Sequence, residues 1–222
     1  MQHPLLLALL VIALCLFAAF YFVSAAFYYK RHQTKFHFYQ MFPYEYNYPN
    51  VFKENFYGNI IFAFACLSVI AFYVINPMQS IYSLLGIILA IVLTMMYLTV
   101  LLLPLRYLRA HMFISCIAMT LSAALPVVNL FGALNEMKLV VDDVNKILCI
   151  VSMVISGLLG LMMLLLIMNP KLTFKIYYEK EIDSEGNEIK KRPKVILLAL
   201  NEWWAIFTFF LTPIALILLF II

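Results

Sequence analysis

Six long apolar runs alternate with short polar segments along this chain. They cover Leu5–Tyr29, Phe56–Ile75, Ile81–Leu103, Met112–Leu134, Ile147–Met168 and Trp203–Ile222. Each is about 20 residues or longer, the length a helix rising about 1.5 Å per residue needs to cross roughly 30 Å of hydrocarbon. The pattern predicts an all-α polytopic membrane protein with six transmembrane helices. The intervening segments are too short for a separate soluble domain, so residues 1–222 are expected to form a single membrane-embedded domain.

The polar segments are not alike. Of 15 Lys and Arg residues, all but Lys138 and Lys146 fall in the first, third and fifth segments, residues 30–55, 104–111 and 169–202. Short loops rich in Lys and Arg stay in the cytoplasm. The alternation therefore predicts an N-out, C-out topology in the plasma membrane, with those three loops cytoplasmic. The first run is not expected to be a cleaved leader. No Lys or Arg precedes it in Met1-Gln2-His3, and it is longer than the about 7–15 apolar residues of a signal peptide.

The first cytoplasmic segment is strongly aromatic: ten of the 22 residues from Phe36 to Tyr57 are Phe or Tyr. Pro43 and Pro49 oppose a continuous helix there. Tyr44, Tyr46 and Tyr48 alternate with Glu45 and Asn47, which predicts an extended strip with one aromatic face. Such a strip would either lie among the lipid headgroups or dock a partner. Asn50 is placed to cap a helix running into the second span. In the third segment Arg106 and Arg109 share a helical face suited to anionic headgroups.

In the fifth segment, partial alternation over Leu172–Tyr178 and a turn at Gly186-Asn187 predict a cytoplasmic β-hairpin between the fifth and sixth helices. Lys190, Lys191 and Arg192 then lead back to the membrane. A lone hairpin is marginal in water, so this one is expected to pack on the first segment or on another protein. Next, Trp203-Trp204 is expected at the membrane boundary, with Val195–Leu200 lying along the cytoplasmic interface and Glu202 outside the lipid; the alternative is one long tilted helix from Lys194 with Glu202 inside the bilayer. On the opposite side, Asp142 or Asp143 stands where the fifth helix needs an acidic cap.

Within the spans the clearest spacing is Ser152, Ser156 and Gly160, with Gly157 beside them. Small residues at four-residue intervals allow close helix packing, within the chain or with another subunit. Pro126 and Pro213 should kink the fourth and sixth helices. Asn129, one turn beyond Pro126, either bonds a neighbouring helix or joins the prolines along a substrate path.

Composition narrows the function classes. The chain is 66% hydrophobic, with a mean hydropathy of +0.99. The net charge of +4 reflects sidedness, not nucleic-acid binding, because no nucleic-acid module is present. Cys15, Cys66, Cys116 and Cys149 lie in spans without ligand spacing, so neither a metal centre nor a cofactor is expected. No Asp, Glu, Lys or Arg stands mid-span, and no hydrolase, metalloprotease or phosphate-loop motif occurs. His3, His32, His37 and His111 lie at or beyond the ends of the apolar runs. A membrane enzyme at the headgroup layer would have to use Glu202, His111 or Arg109, which form no recognisable constellation. The expectation is a non-enzymatic subunit or accessory protein of a larger membrane assembly. It would dock through its cytoplasmic face to a membrane-protein partner or to a second copy, with anionic lipid beside it. The alternative is a small transporter or permease component for an uncharged or lipid-like substrate.

Overall fold

The computed structural model describes residues 4–77, 80–103, 107–172, 179–182 and 188–220. Six helices are long and apolar enough to span a membrane, in keeping with a multi-pass membrane protein. They are α1 (Pro4–His32), α3 (Phe56–Ile75), α4 (Ile81–Leu102), α5 (Leu108–Leu139), α6 (Asp143–Ile167) and α7 (Leu197–Ile217). A single short turn, α2 (Val51–Glu54), precedes α3.

Apolar residues cover every side of these helices, so polarity alone does not separate inside from outside. In α1 the buried set is Leu6, Leu10, Ala13, Phe17, Phe20, Ser24 and Tyr28, one stripe repeating every three or four residues. In α6 it is Cys149, Ser152, Ser156, Gly160 and Met163, while Val154, Leu158 and Leu165 face outward. The sixth span is the hub of the bundle: 61% of its apolar window is buried, against 22% for α6.

One end of the bundle gathers the C-termini of α1, α4 and α6, the N-termini of α3, α5 and α7, and the aromatic segment. Polar groups sew it together. The last carbonyls of a helix have no partner within it. Here Asn47 Nδ2 donates to Leu101 O of α4 at 2.7 Å, and Asn201 Nδ2 donates to Leu166 O of α6 at 3.0 Å. Trp203 Nε1 donates to Met41 O at 2.9 Å, and the Ile196 amide donates to Tyr39 O at 2.8 Å. Arg31 donates to Tyr46 O at 2.7 Å, and to Tyr48 O and Glu54 at 2.8 Å each.

Three local expectations are corrected. The aromatic segment is not an extended strip. Residues Pro43–Asn47 form a 3-10 helix, started by Pro43 and closed where the Phe42 amide donates to Glu45 Oε1 at 2.8 Å. Its aromatic rings go inward, because Tyr46 stacks on Phe36 at 4.0 Å and meets Trp203 edge-on at 5.8 Å. Second, Trp203 is no boundary anchor. It is fully buried under that segment, and α7 already starts at Leu197. Third, Asn50 caps only the short α2, through the Lys53 amide, and α3 begins separately after Asn55.

Two four-residue strands, β1 (Glu179–Ile182) and β2 (Glu188–Lys191), pair antiparallel, with Glu179 opposite Lys191 and Ile182 opposite Glu188. The expected alternating run, over residues 173–178, and the turn at Gly186-Asn187 lie outside the described residues. Just after β2, Arg192 Nη1 donates to Glu45 Oε2 at 2.8 Å and so ties this segment to the 3-10 helix. At the other end of the bundle, Asp142 caps α6 by accepting from the Asn145 amide at 3.1 Å.

Candidate functional site

Where α5 meets α7, both helices run away from the sewn end, and each turns polar residues toward the interior. On α5 these are His111, Ser115, Ser122 and Asn129, at steps of four and seven that keep one face. On α7 they are Glu202, Thr208 and Thr212, at steps of six and four. All seven are buried.

The first level is a His–Glu pair. His111 Nε2 lies 3.4 Å from Glu202 Oε1, with the two side chains only 1% and 3% exposed. Neither ring nitrogen of His111 and neither oxygen of Glu202 has a hydrogen-bond partner among the described residues, nor does Ser115 Oγ. Tyr44 of the 3-10 helix closes this level, its ring edge-on to His111 at 4.6 Å. Glu202 and Ser115 line a pocket with Tyr97, Met119 and Ala205 that has room for about one water molecule. A buried carboxylate without a hydrogen bond is costly, and this mostly apolar pocket has room beside Glu202 for a water that would supply one.

The next level is satisfied within the protein. Two hydroxyl protons are shared among three contacts: Tyr97 OH of α4 lies 2.8 Å from Ala205 O and in hydrogen-bond contact with Ser122 Oγ, which lies 2.6 Å from Ala118 O. One turn further along α7, Thr208 Oγ has no partner among the described residues. Thr212 Oγ donates to Thr208 O at 2.5 Å. Asn129 Nδ2 donates to Tyr73 OH of α3 at 3.1 Å and to Thr212 O at 3.4 Å. Tyr73, Asn76, Ser83 and Asn129 line a second pocket of similar size at the far end.

His111 and Glu202 thus lie inside the bundle, within the first two turns of α5 and α7. The cause is tertiary. Neither faces lipid, because α4, α5, α7 and the aromatic segment enclose them. The other expected site residues disperse. Ser152, Ser156 and Gly160 are buried, and Gly157 is half-buried. A Cβ on Gly160 would sit 3.5 Å from Val127 and 3.7 Å from Pro126, so this stripe packs on α5. Pro126 therefore faces α6 while Asn129 faces α3 and α7. Neither Pro126 nor Pro213 lines the pocket beside Asn129.

Tyr44 and Tyr46 are buried, Tyr48 is 54% exposed, and Arg109 is exposed. Lys190 and Lys191 fall on β2, and Arg106 lies outside the described residues. Sequence reasoning overlooked Ser115, Ser122, Thr208, Thr212, Tyr73 and Tyr97. The signal available was the recurrence of hydroxyl and amide residues on single faces of the fourth and sixth spans. Compared with known proteins, the chain matches no family model, no curated protein and no solved structure.

Proposed function

We propose that this chain is a non-enzymatic, multi-pass subunit of a larger membrane assembly, docking through its sewn, basic end. The observation that supports this reading is the build of that end. Arg31 and Arg192 are drawn into ion pairs with Glu54 and Glu45, which stiffen the platform. Lys30, Lys35, Lys53, Arg109, Lys171 and Lys194 remain exposed around it. Exposed positive charge on a rigid base suits an acidic partner surface or anionic headgroups.

In this reading the basic end faces the cytoplasm of the plasma membrane, both chain termini face out, and β1–β2 projects on the cytoplasmic side. Single cysteines introduced at Lys35 and at Lys138, in a cysteine-free background, test the sidedness. The reading expects only position 138 to react with an impermeant thiol reagent on intact cells. Purification in mild detergent followed by mass spectrometry tests the assembly. A stoichiometric partner should appear, and combined Lys30→Glu and Lys35→Glu substitution should release it. Recovery of a lone, stable monomer refutes the reading.

A small transport component for an uncharged or lipid-like substrate is the second reading. It is favoured by Asn129, which joins three helices beside a pocket and bonds the carbonyl just before Pro213. Asn129→Leu should abolish that flux, and normal flux in the variant removes this reading.

A further inference from the structure

The buried polar groups between α5 and α7 form a series of levels that runs most of the length of the bundle. It starts at the His111–Glu202 pair at the basic end. It continues through Tyr97 with Ser122, then Thr208, then Thr212 with Asn129. It ends at the far pocket, where Tyr73 meets Asn129. Residues three or four apart on α7 set these levels, so successive levels are separated by about one helical turn, roughly 5.4 Å. Two O–H···O bonds in series span about the same distance, at roughly 2.8 Å each. A continuous hydrogen-bonded chain would need one water between successive levels.

Two explanations compete for such a seam. Hydroxyl and amide groups between membrane helices often serve as packing glue. Part of the seam is satisfied within the protein, as at Tyr97–Ser122. Here Ser115 Oγ, Thr208 Oγ and both oxygens of Glu202 are buried without a hydrogen-bond partner among the described residues, as are Ser152 Oγ and Ser156 Oγ on the packing face of α6. Buried polar groups are seldom left so unless water or a ligand completes them. The unpartnered atoms of Ser115, Thr208 and Glu202 fall at the entry and in the middle of the seam, where a relay needs free acceptors.

We propose that this seam is a proton path through the bundle, with the His111–Glu202 pair as its proton acceptor at the basic end. A carboxylate or imidazole takes up the proton, and hydroxyls, which both donate and accept, pass it on through intervening waters. At each hop one O–H bond breaks as another forms on the next oxygen, so no oxidant, reductant or co-substrate is required. Each pocket has room for about one water, which is what a proton relay needs. The titratable groups facing the acceptor pair are few. Tyr44 comes from the 3-10 helix, Tyr97 from α4, and Cys116 from α5 on the side of Glu202.

The test uses the full-length protein purified in detergent and reconstituted into liposomes with an entrapped pH-sensitive dye. A potassium diffusion potential, negative inside, drives proton entry. Wild-type vesicles should acidify faster than protein-free ones. Glu202→Gln and Thr208→Val should fall to the protein-free rate, while Cys15→Ala, on the exposed face of α1, should keep the wild-type rate. Thr208→Val preserves side-chain shape, so it decides the matter if Glu202→Gln does not fold. The proposal is overturned if wild-type vesicles acidify no faster than empty ones. It is equally overturned if folded Thr208→Val conducts at the wild-type rate.

Discussion

Asn47→Ala asks whether the aromatic segment is part of the fold or a surface that merely lies against it. Asn47 is 2% exposed. Its amide donates to Leu101 O at 2.7 Å, and its carbonyl accepts from Asn59 Nδ2 at 2.9 Å. The Leu101 carbonyl is in the last turn of α4 and has no helical partner of its own. Alanine removes both bonds and strands that carbonyl away from water. Two net bonds at about 1 kcal/mol each, with one stranded acceptor at about 1–3 kcal/mol, give a loss of about 3–5 kcal/mol. At about 2–4 °C per kcal/mol for a chain of this size, the melting temperature should fall by on the order of 10 °C. A thiol-reactive dye in detergent can follow the melt, because Cys66 and Cys149 are buried and become reactive on unfolding. Tyr48→Phe, at an exposed position, is the control and should shift the midpoint by no more than the equivalent of about 0.5 kcal/mol. If Asn47→Ala melts with the control, the segment is not structurally joined to α4 and the reasoning is wrong.

Trp203→Ala removes a fully buried ring bonded to Met41 O and should cost about 3–5 kcal/mol in the same melt. Gly160→Ala should be tolerated, since the new Cβ meets its nearest neighbour at 3.5 Å, whereas Gly160→Leu should force α6 from α5 at a cost of about 1–3 kcal/mol. Comparing these two melts tests whether the small-residue stripe is an internal contact. Tyr46→Phe should leave stability unchanged or raise it by about 1 kcal/mol, because the buried hydroxyl has no hydrogen-bond partner among the described residues. Burial, and secondarily the nearby Tyr21, pushes the Tyr46 phenol well above its ordinary range. Tyr46 therefore imposes no ionisation penalty below about pH 10 and lowers stability progressively as the pH rises beyond that, where the unfolded chain ionises first. Alkaline unfolding should start at higher pH in Tyr46→Phe, and an identical onset counts against that burial.

The spans were legible because a transmembrane helix is a local object. Helices α3 and α4 keep the expected starts, Phe56 and Ile81, where polar residues give way to an apolar run. Asp142 was legible as a cap for the same local reason. The aromatic segment was misread because alternation at Tyr44, Tyr46 and Tyr48 resembles a strand. A five-residue 3-10 helix can place those rings against Phe36 and Trp203, and burial of that aromatic area outweighs the local pattern. The α7 start, Leu197, falls between the expected Trp203 and the alternative Lys194; the expected start came too late because the cost of a carboxylate in lipid was charged to Glu202. Helices, not lipid, surround that side chain.

What the sequence alone determined is the set of apolar helices and the concentration of positive charge beside alternate ones. Both depend on composition over a stretch of about 20 residues, set by the thickness of the hydrocarbon. The tertiary structure alone decided which polar residues meet. His111 and Glu202 belong to spans separated by an entire helix in the chain, and Tyr97, Ser122, Thr208 and Asn129 come from three different spans. On a helix that is apolar all round, nothing local says which side faces neighbours and which faces lipid. That choice is made by packing, where small residues let helices approach and buried polar groups find what partners they can.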